Sequence, residues 1–214
     1  MAFEEYWNES HKKYGGAQPK FDNWLDKYLN RIEATTLPIL DLGCGTGNDS
    51  LYLTSHNKKV IACDYSSVAL EDVKKFVPNA VTLQIDFAKG LPFNDNSFDI
   101  IVADLSLHYF DSNTTIKIMK EVKRVLTAHG ILLARVNSIN DINYGAGLGE
   151  KIEDNYYYVD GYNKRFFTLE DAQRFFSIVG EVTVTSAQML RYSKPKELFE
   201  ISAIVNKWKH LVKK

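Results

Sequence analysis

A short run near residue 40 constrains the fold of this chain more than any other part of it. The run reads Ile39-Leu40-Asp41-Leu42-Gly43-Cys44-Gly45-Thr46-Gly47-Asn48-Asp49 and passes into Ser50-Leu51-Tyr52-Leu53. Apolar residues therefore lead to an acid, then to a glycine at every second position, and then to the start of a helix. Since glycine has no Cβ and helix N-termini offer unpaired N–H groups, this arrangement lets the backbone approach a nucleotide-like ligand.

The spacing of the glycines separates the nucleotide-binding classes. A dinucleotide fingerprint, G-x-G-x-x-G, would need its third glycine at Asn48 or at Ser50. A phosphate-binding P-loop ends in G-K-[ST], and no lysine follows the glycines here. The remaining pattern is Asp-x-Gly-x-Gly-x-Gly, for which a tight turn without a ligand is the alternative interpretation.

Each of three later strands also ends at an acidic residue. The strands and their acids are Lys59–Cys63 with Asp64, Ala80–Ile85 with Asp86, and Phe98–Ala103 with Asp104. Asp64 lies 17 residues after Gly47, at the end of the second strand of a βαβ unit. A carboxylate in this position can accept hydrogen bonds from both hydroxyls of a ribose.

Taken together, these features resemble the class I S-adenosylmethionine-dependent methyltransferases over about residues 37–136. The resemblance implies an α/β, three-layer Rossmann-like fold, in which a seven-stranded and mostly parallel sheet has helices on both faces. The strand order would be 3-2-1-4-5-7-6, with strand 7 antiparallel. It also implies that S-adenosylmethionine is the cofactor and S-adenosylhomocysteine the product, with Asp64 at the ribose and Asp86 at the adenine amino group.

Further residues follow from the same resemblance. The residues that we expect to contact the cofactor are Asp41, Gly43, Cys44, Gly45, Gly47, Asn48, Asp64, Tyr65, Asp86, Phe87, Asp104, Trp7 and Tyr14. Tyr6, Trp7 and Tyr14 would face the sulfonium cation if the N-terminal helix folds over the cofactor, and cation–π attraction would then help binding. Core packing of a terminal helix is the alternative for these aromatic side chains.

Hydrophobic periodicity predicts one domain over residues 1–214, with residues 1–34 as an N-terminal helical cap. The predicted helices are Phe3–Tyr14, Phe21–Ile32, Thr114–Leu126 and a helix to Val179 that Thr168 opens. The further predicted strands are Ile131–Val136, Val182–Ala187 and Leu198–Val205. Strands that alternate with helices imply right-handed crossovers and a parallel sheet.

Residues 137–167 are too many for a structureless connection in a compact domain. Tyr156–Val159 and Tyr162–Phe167 flank Asp160-Gly161 and predict a hairpin, and the rest of the segment is polar and rich in glycine. Long segments at the ligand end of a scaffold commonly contact substrates. We therefore predict that this insertion is a substrate lid, with a surface hairpin as the alternative.

Several polar residues near the strand ends are candidates for the chemistry. The candidate catalytic residues are His108, Tyr109 and Arg165, and the candidate substrate-binding residues are Arg135, Asn137 and Tyr144. His108 is a candidate general base, with packing against the cofactor as its alternative role. Arg135 and Arg165 would hold an anionic substrate, unless they form salt bridges with Glu150, Glu153, Asp154 or Asp160.

Composition bears on the class of partner. At 45% hydrophobic residues the chain can bury one α/β core, and its net charge of −1 gives no global basic field for nucleic acid. Asp104-Leu105-Ser106-Leu107 lacks the two prolines found at this place in enzymes that methylate amino groups of DNA bases. Cys44 and Cys63 have no metal-ligand spacing, and Met1–Asn8 shows no signal-peptide pattern.

We therefore expect a cytoplasmic monomer or homodimer, without a metal and without a DNA or membrane partner, that methylates a small molecule by in-line displacement. Methylation of protein or RNA, and a non-catalytic regulator that binds the cofactor, are the alternatives. The size is similar to compact bacterial small-molecule methyltransferases, and Arg135–Ser138 and Asn143–Gly145 suggest the tellurite-resistance-type branch. The basic tail Lys207–Lys214 is expected to be solvated.

Overall fold

A seven-stranded sheet forms the centre of the computed structural model, which describes residues 3–159 and 161–206. The strands are β1 (Ile39–Leu42), β2 (Val60–Asp64), β3 (Ala80–Gln84), β4 (Phe98–Asp104), β5 (Leu126–Asn137), β6 (Glu150–Glu153), β7 (Tyr156–Val159), β8 (Tyr162–Arg165), β9 (Glu181–Met189) and β10 (Lys196–Ile204). The main sheet has the order β3-β2-β1-β4-β5-β10-β9, in which β10 runs antiparallel to both neighbours. The predicted fold class and strand order are therefore confirmed.

Helices cover both faces of this sheet. They are α1 (Phe3–Tyr14), α2 (Leu29–Ala34), α3 (Asn48–Ser55), α4 (Ser67–Phe76), α5 (Ser112–Val125) and α6 (Leu169–Phe176). Because side chains alternate along a strand, Ile100 and Val102 pack with α2 and α3, whereas Ile101 and Ala103 pack with α5 and α6. In the described part of the chain, none of these helices has the length and apolar character needed to cross a membrane.

Polar caps fix where the helices on the second face begin. The Asp111 carboxylate accepts a 2.7 Å hydrogen bond from the Thr114 N–H at the start of α5. The Thr168 hydroxyl accepts a 2.9 Å hydrogen bond from the Asp171 N–H at the start of α6. Such caps satisfy N–H groups that have no partner inside the helix. The predicted Thr168 cap is confirmed, although α6 ends earlier than the sequence predicts.

The prediction of a helix over Phe21–Ile32 is wrong for its first half. The α-helix there is α2, and the residues before it follow an irregular path along the sheet. Asp22 forms an ion pair with Arg135, and the Trp24 indole N–H donates a 2.9 Å hydrogen bond to Asp49. These contacts with Arg135 and Asp49 stabilise a non-helical conformation of the segment. They outweigh the helical periodicity of its apolar residues.

Residues 137–167 contain a second, smaller sheet with the order β6-β7-β8. The predicted hairpin is confirmed, since β7 and β8 pair from Tyr156 opposite Arg165 to Val159 opposite Tyr162. The strand β6 was missed, because its charged sequence lacks an apolar alternation. Asp160 of the predicted turn and the tail Lys207–Lys214 lie outside the described residues. The role of the insertion as a substrate lid stays a prediction.

Candidate active site

An open cleft lies where the parallel strands β1, β2 and β4 end, which brings their acidic residues together. Eleven of the thirteen residues expected to contact the cofactor line it, and these are Trp7, Asp41, Gly43, Cys44, Gly45, Asn48, Asp64, Tyr65, Asp86, Phe87 and Asp104. Gly47 instead packs toward α4, and Tyr14 is 73% exposed to solvent at the end of α1. The structure therefore brings together every predicted acid and two of the three glycines.

The three glycines of the turn after β1 are needed for different physical reasons. At Gly43 a Cβ would lie 2.3 Å from the Ser106 Cβ, so a side chain there would clash with the protein itself. At Gly47 φ is +93°, a conformation that caps α3 and that other residues rarely adopt. At Gly45 φ is +53°, and the nearest atom to a Cβ would be His11 Cε1, 3.8 Å away. Gly45 is thus the position where a missing side chain leaves room for a ligand.

Asp64 is held in place by the backbone of the two turns beside it. The Gly45 N–H donates a 2.8 Å hydrogen bond to Oδ2, and the Ser66 N–H donates one of 2.8 Å to Oδ1. A carboxylate oxygen can accept two hydrogen bonds, so each oxygen retains one acceptor position. Asp64 can therefore serve the protein and a ligand at the same time.

Buried carboxyl groups collect at one end of the cleft. Asp41 is 1% exposed and accepts a 2.6 Å hydrogen bond from the Ser50 hydroxyl. Burial, together with the charges of Asp104 and Asp64, raises the pKa of Asp41 to about 7. Burial raises the pKa of Asp49 as well. A cationic ligand would stabilise the ionised forms of these groups, so this end of the cleft favours positive charge.

Asp104 differs from the other carboxyls because two arginines contact it. Arg135 donates two hydrogen bonds of 2.7 Å to it, and Arg191 donates one of 3.1 Å. Burial alone would raise the pKa of Asp104, but the guanidinium groups outweigh burial and lower it. Arg135 also pairs with Asp22 at 2.8 Å and lies 4.6 Å from the Trp24 ring. The contacts of Arg135 therefore match the salt-bridge alternative rather than a substrate contact.

The opposite end of the cleft combines an apolar wall with one carboxylate. Phe87 is buried, and its ring lies 5.3 Å from that of Phe110. The Ala88 N–H donates a 3.1 Å hydrogen bond to Asp86 Oδ1, and Lys89 lies 3.2 Å from Oδ2. A flat aromatic group with a polar edge suits these surroundings.

Aromatic side chains from three parts of the chain enclose one side of the cleft. The Trp7 ring of α1 lies 4.7 Å from the Tyr109 ring, which lies 5.7 Å from the Tyr162 ring of β8. Tyr6 of α1 also contacts Tyr162, with 4.7 Å between ring centroids. We refer to Tyr6, Trp7, Tyr109 and Tyr162 as the aromatic cluster. Through it, α1 meets the insertion beside the cleft.

Two of the candidate catalytic residues lie next to each other. Tyr109 lines the cleft, and its ring lies 4.2 Å from that of His108, which is only 2% exposed. Burial lowers the pKa of His108 well below its ordinary value, and the ammonium groups of Lys196 and Lys164 lower it further. His108 is therefore neutral at pH 7, which is the protonation state that a general base requires.

Arg165, the third candidate, lies apart from the cleft inside the insertion. It is 1% exposed, and its guanidinium forms a 2.8 Å ion pair with Glu153. The guanidinium also lies 5.0 Å from the Tyr156 ring and 5.2 Å from the Phe175 ring. These contacts match the salt-bridge alternative, in which Arg165 fastens the insertion to α6.

The other candidate substrate residues occupy contrasting surroundings. Asn137 is 1% exposed, and within residues 3–159 and 161–206 neither its Oδ1 nor its Nδ2 has a hydrogen-bond partner. The Tyr144 hydroxyl donates a 2.9 Å hydrogen bond to the Lys194 carbonyl, and its ring lies 4.6 Å from Lys196 Nζ. Tyr144 thus ties the insertion to the turn between β9 and β10, whereas Asn137 keeps its polar atoms available.

Sequence reasoning missed several residues of the cleft, among them His11, Arg191 and Tyr192. His11 had a usable signal, because it lies one helical turn after Trp7, and their rings are 6.1 Å apart. Arg191 and Tyr192 had no such signal in the sequence, since they lie in the turn between β9 and β10. Only the pairing of β10 with β5 brings that turn to the cleft.

Comparison with known proteins decides the family of this domain. A family model described as a methyltransferase domain matches residues 40–134. Residues 40–134 therefore form a methyltransferase domain. The demethylmenaquinone methyltransferase of Lactococcus lactis is 34% identical over 117 residues, which are 51% of this chain and 46% of that protein. The chain spans about half the length of the curated relatives it matches.

Solved structures show the same fold as this methyltransferase domain. An S-adenosylmethionine-dependent methyltransferase of Methanosarcina mazei has a TM-score of 0.69 at 21% identity, covering 83% of this chain and 97% of that one. The 1,6-didemethyltoxoflavin-N1-methyltransferase of Burkholderia thailandensis has a TM-score of 0.63 at 16% identity, covering 85% and 75%. Its structure holds 1,6-didemethyltoxoflavin and S-adenosylhomocysteine. The positive charge of S-adenosylmethionine, on which the Methanosarcina neighbour depends, would suit the acidic end of this cleft.

Proposed function

We propose that this protein transfers a methyl group from S-adenosylmethionine to a small-molecule acceptor. One observation carries the proposal: a single cleft has buried Asp41 and the open backbone of Gly45 on one side, and the aromatic cluster on the other. The first side suits a cationic nucleoside. The second side encloses a reaction site and keeps bulk water from it.

In this proposal the cleft residues bind the cofactor along its length. Asp64 accepts hydrogen bonds from the ribose hydroxyls, through the acceptor positions that its backbone donors leave open. Phe87 packs against the adenine ring, and Asp86 accepts a hydrogen bond from the adenine amino group. Asp41 lies at the methionine end, where the ammonium and sulfonium charges favour its ionised form.

The chain mainly has to align the reacting groups. S-adenosylmethionine supplies a methyl group that is already activated on a sulfonium centre, so position matters more than strong acid or base catalysis. The faces of Trp7 and Tyr109 would attract positive charge in the cleft by about 1–2 kcal/mol once water is excluded. His108 is a weak candidate base, because burial lowers its pKa well below the working pH and it does not line the cleft.

The aromatic cluster supports a small acceptor. Because Tyr6 and Trp7 of α1 meet Tyr162 of the insertion, a small molecule reaches the cleft more readily than a folded macromolecule does. In the Burkholderia neighbour, the same fold accommodates a small heterocycle together with S-adenosylhomocysteine. Both observations favour a metabolite over protein or RNA.

Transfer of a labelled methyl group tests this function. The purified protein is incubated with labelled S-adenosylmethionine and, separately, with a metabolite panel, a peptide mixture and bulk tRNA. We expect label in at least one small molecule, micromolar binding of S-adenosylhomocysteine by calorimetry, and binding weakened by about tenfold or more in Asp64→Ala. Label only in peptides or tRNA would contradict the acceptor class, and cofactor binding without transfer to any substrate would indicate a regulator.

A further inference from the structure

Beside the cofactor cleft, the fold gathers buried polar groups whose hydrogen-bonding capacity is unused. Both side-chain polar atoms of Asn137, His108 Nδ1 and Arg191 Nη1 are buried without a hydrogen-bond partner among the described residues. Buried polar groups in folded proteins are nearly always hydrogen-bonded, because they have lost the water that solvates them. Such groups therefore point to a ligand or to ordered water at this place.

The strand register puts Asn137 and Lys196 on one face of the sheet. Asn137 at the end of β5 lies opposite Leu198 of β10. Lys196 lies two residues before Leu198 on the same strand, so its side chain projects from the same face. The two side chains are therefore diagonal neighbours across the β5–β10 pair.

Arg191 reaches the same place from the turn after β9. Its guanidinium donates to Asp104, which is the cross-strand partner of Arg135 on β5. Arg135 precedes Asn137 by two residues and shares its face. The Arg191 guanidinium therefore ends at Asp104, level with Arg135 and two residues along β5 from Asn137.

Positive charge surrounds these groups. Lys196 is buried and forms a 2.7 Å ion pair with Asp141. The Lys164 ammonium donates a 3.2 Å hydrogen bond to the carbonyl oxygen of Tyr144. Burial lowers the pKa of His108, and both ammonium groups lower it further. An anionic ligand group would be attracted to this position.

Two residues connect this place to the cofactor cleft. Arg191 and Tyr192 both line the cleft, and the Tyr192 ring lies 6.0 Å from Lys196 Nζ. The Tyr192 ring also lies 5.6 Å from that of Tyr144 in the insertion. A ligand that contacts Arg191 from the cleft would therefore lie beside these aromatic rings.

We propose that the methyl acceptor is a small carboxylic acid whose carboxylate binds the Asn137 amide N–H and the Arg191 guanidinium. The inference rests on the proposed function and names the substrate class of that site. Two separate donors match the two oxygens of a carboxylate, and Lys164 and Lys196 supply the complementary field. Asn137 Oδ1 then accepts a hydrogen bond from a hydroxyl or amine near the carboxylate.

Matched probes test the charge and shape of the ligand group that binds Asn137 and Arg191. Benzoate, benzamide and phenyl phosphate are titrated by calorimetry into the protein with and without saturating S-adenosylhomocysteine. We expect benzoate to bind at least about tenfold more tightly than benzamide, as for a charge-assisted hydrogen bond pair, and more tightly than phenyl phosphate. Equal affinity for benzoate and benzamide, or a preference for phenyl phosphate, would overturn the proposal.

Asn137→Leu removes the amide and keeps a similar volume. We expect at least about tenfold weaker benzoate binding, unchanged affinity for S-adenosylhomocysteine and a higher midpoint of thermal unfolding, because a buried group without partners is removed. Asn140→Leu, an exposed position three residues later, is the matched control and should leave benzoate affinity unchanged. Unchanged benzoate affinity in Asn137→Leu would mean that the amide holds water only, and would overturn the proposal.

Arg191→Gln separates the acceptor from the cofactor. We expect a larger loss of affinity for benzoate than for S-adenosylhomocysteine, since Arg191 also contacts Asp104 in the cleft. The reverse pattern would assign this guanidinium to the cofactor and overturn its role here. A protein that prefers benzoate but binds no S-adenosylhomocysteine would refute the proposed function while supporting the carboxylate subsite, so the two failures are distinguishable.

Discussion

The two sides of the active site use charge in opposite ways. Residues 40–134 place the buried carboxyls of Asp41, Asp49 and Asp64 around the expected position of a cation. The region after β5 instead surrounds its polar groups with the ammonium groups of Lys164 and Lys196. The acidic side lies within a short local pattern of strand, turn and helix, whereas the basic side depends on contacts between distant segments. The side proposed for the cofactor can therefore be predicted from the sequence, whereas the side proposed for the acceptor can be recognised only in the folded structure.

The largest effect is expected for Arg165→Ala, which tests whether the insertion is independent of the cofactor side. The change leaves Glu153 without this ion pair and removes a cation from two aromatic rings. Since Glu153 is partly solvated, we expect a loss of about 3 kcal/mol in the free energy of unfolding by denaturant titration. Exposed Arg174→Ala is the control, with a loss below about 1 kcal/mol. A tenfold loss of S-adenosylhomocysteine affinity in Arg165→Ala would show that the two sides are coupled.

Gly45→Val should remove cofactor binding while the fold survives. A branched side chain at φ +53° would project into the cleft, where the nearest protein atom is 3.8 Å from its Cβ. We expect roughly a 100-fold loss of S-adenosylhomocysteine affinity by calorimetry, corresponding to about 2.7 kcal/mol, with benzoate binding retained. Gly43→Ala is the informative contrast, because its clash with Ser106 should lower the unfolding temperature instead. Wild-type affinity in Gly45→Val would mean that the turn is only structural.

Asp64→Ala should weaken S-adenosylhomocysteine binding by about tenfold or more, because ribose hydroxyls lose their acceptor. The turn also loses the hydrogen bonds from the Gly45 and Ser66 N–H groups. Glu71→Ala removes an exposed carboxylate on α4 and should change the affinity less than about twofold. Equal affinities of the two variants for S-adenosylhomocysteine would show that Asp64 has no special role in binding. That result would contradict the proposed difference between the two sides of the cleft.

The smallest expected change in ligand affinity is a dependence on pH that arises on the acidic side. The pKa of Asp41 is about 7 in the folded protein and about 4 in an unfolded chain. Asp41 therefore stabilises the folded state at low pH, and this stabilisation is lost as the pH rises from about 4 to about 7. We expect the free energy of unfolding of the ligand-free protein to be lower at pH 8 than at pH 5. Affinity for cationic S-adenosylmethionine should rise a few-fold from pH 6 to pH 8.

Asp41→Asn identifies the group responsible for this dependence. The amide keeps the shape of the side chain and removes its titration, so both pH trends should become flatter. Asp49, Asp64 and Asp104 line the same cleft and are unchanged in the variant. Calorimetry and thermal unfolding across the same pH series make the comparison, and identical profiles in both proteins would assign the dependence to one of these neighbours.

How much could be predicted depended on how far apart in the chain the interacting residues lie. The turn from Asp41 to Gly47 was predictable, because its glycines and acid act within one local element, and the family resemblance supplied the strand order. The irregular path of the chain around Asp22 was not predictable from the sequence, since its partner Arg135 lies 113 residues away. For the same reason, no local pattern distinguishes the paired Arg135 from Arg191, whose Nη1 is unpartnered among the described residues.

Asp64 binds the protein backbone and, in our proposal, the ribose as well, and this affects how ligands exchange. Its hydrogen bonds with the Gly45 and Ser66 N–H groups hold both turns in one conformation. The conformational entropy of these turns is therefore lost when the chain folds and not when a nucleoside arrives. Substrate and product forms of the cofactor can then replace each other over an unchanged backbone. We predict that the opening that admits them lies between α1 and the insertion, where the Tyr6 and Tyr162 rings meet.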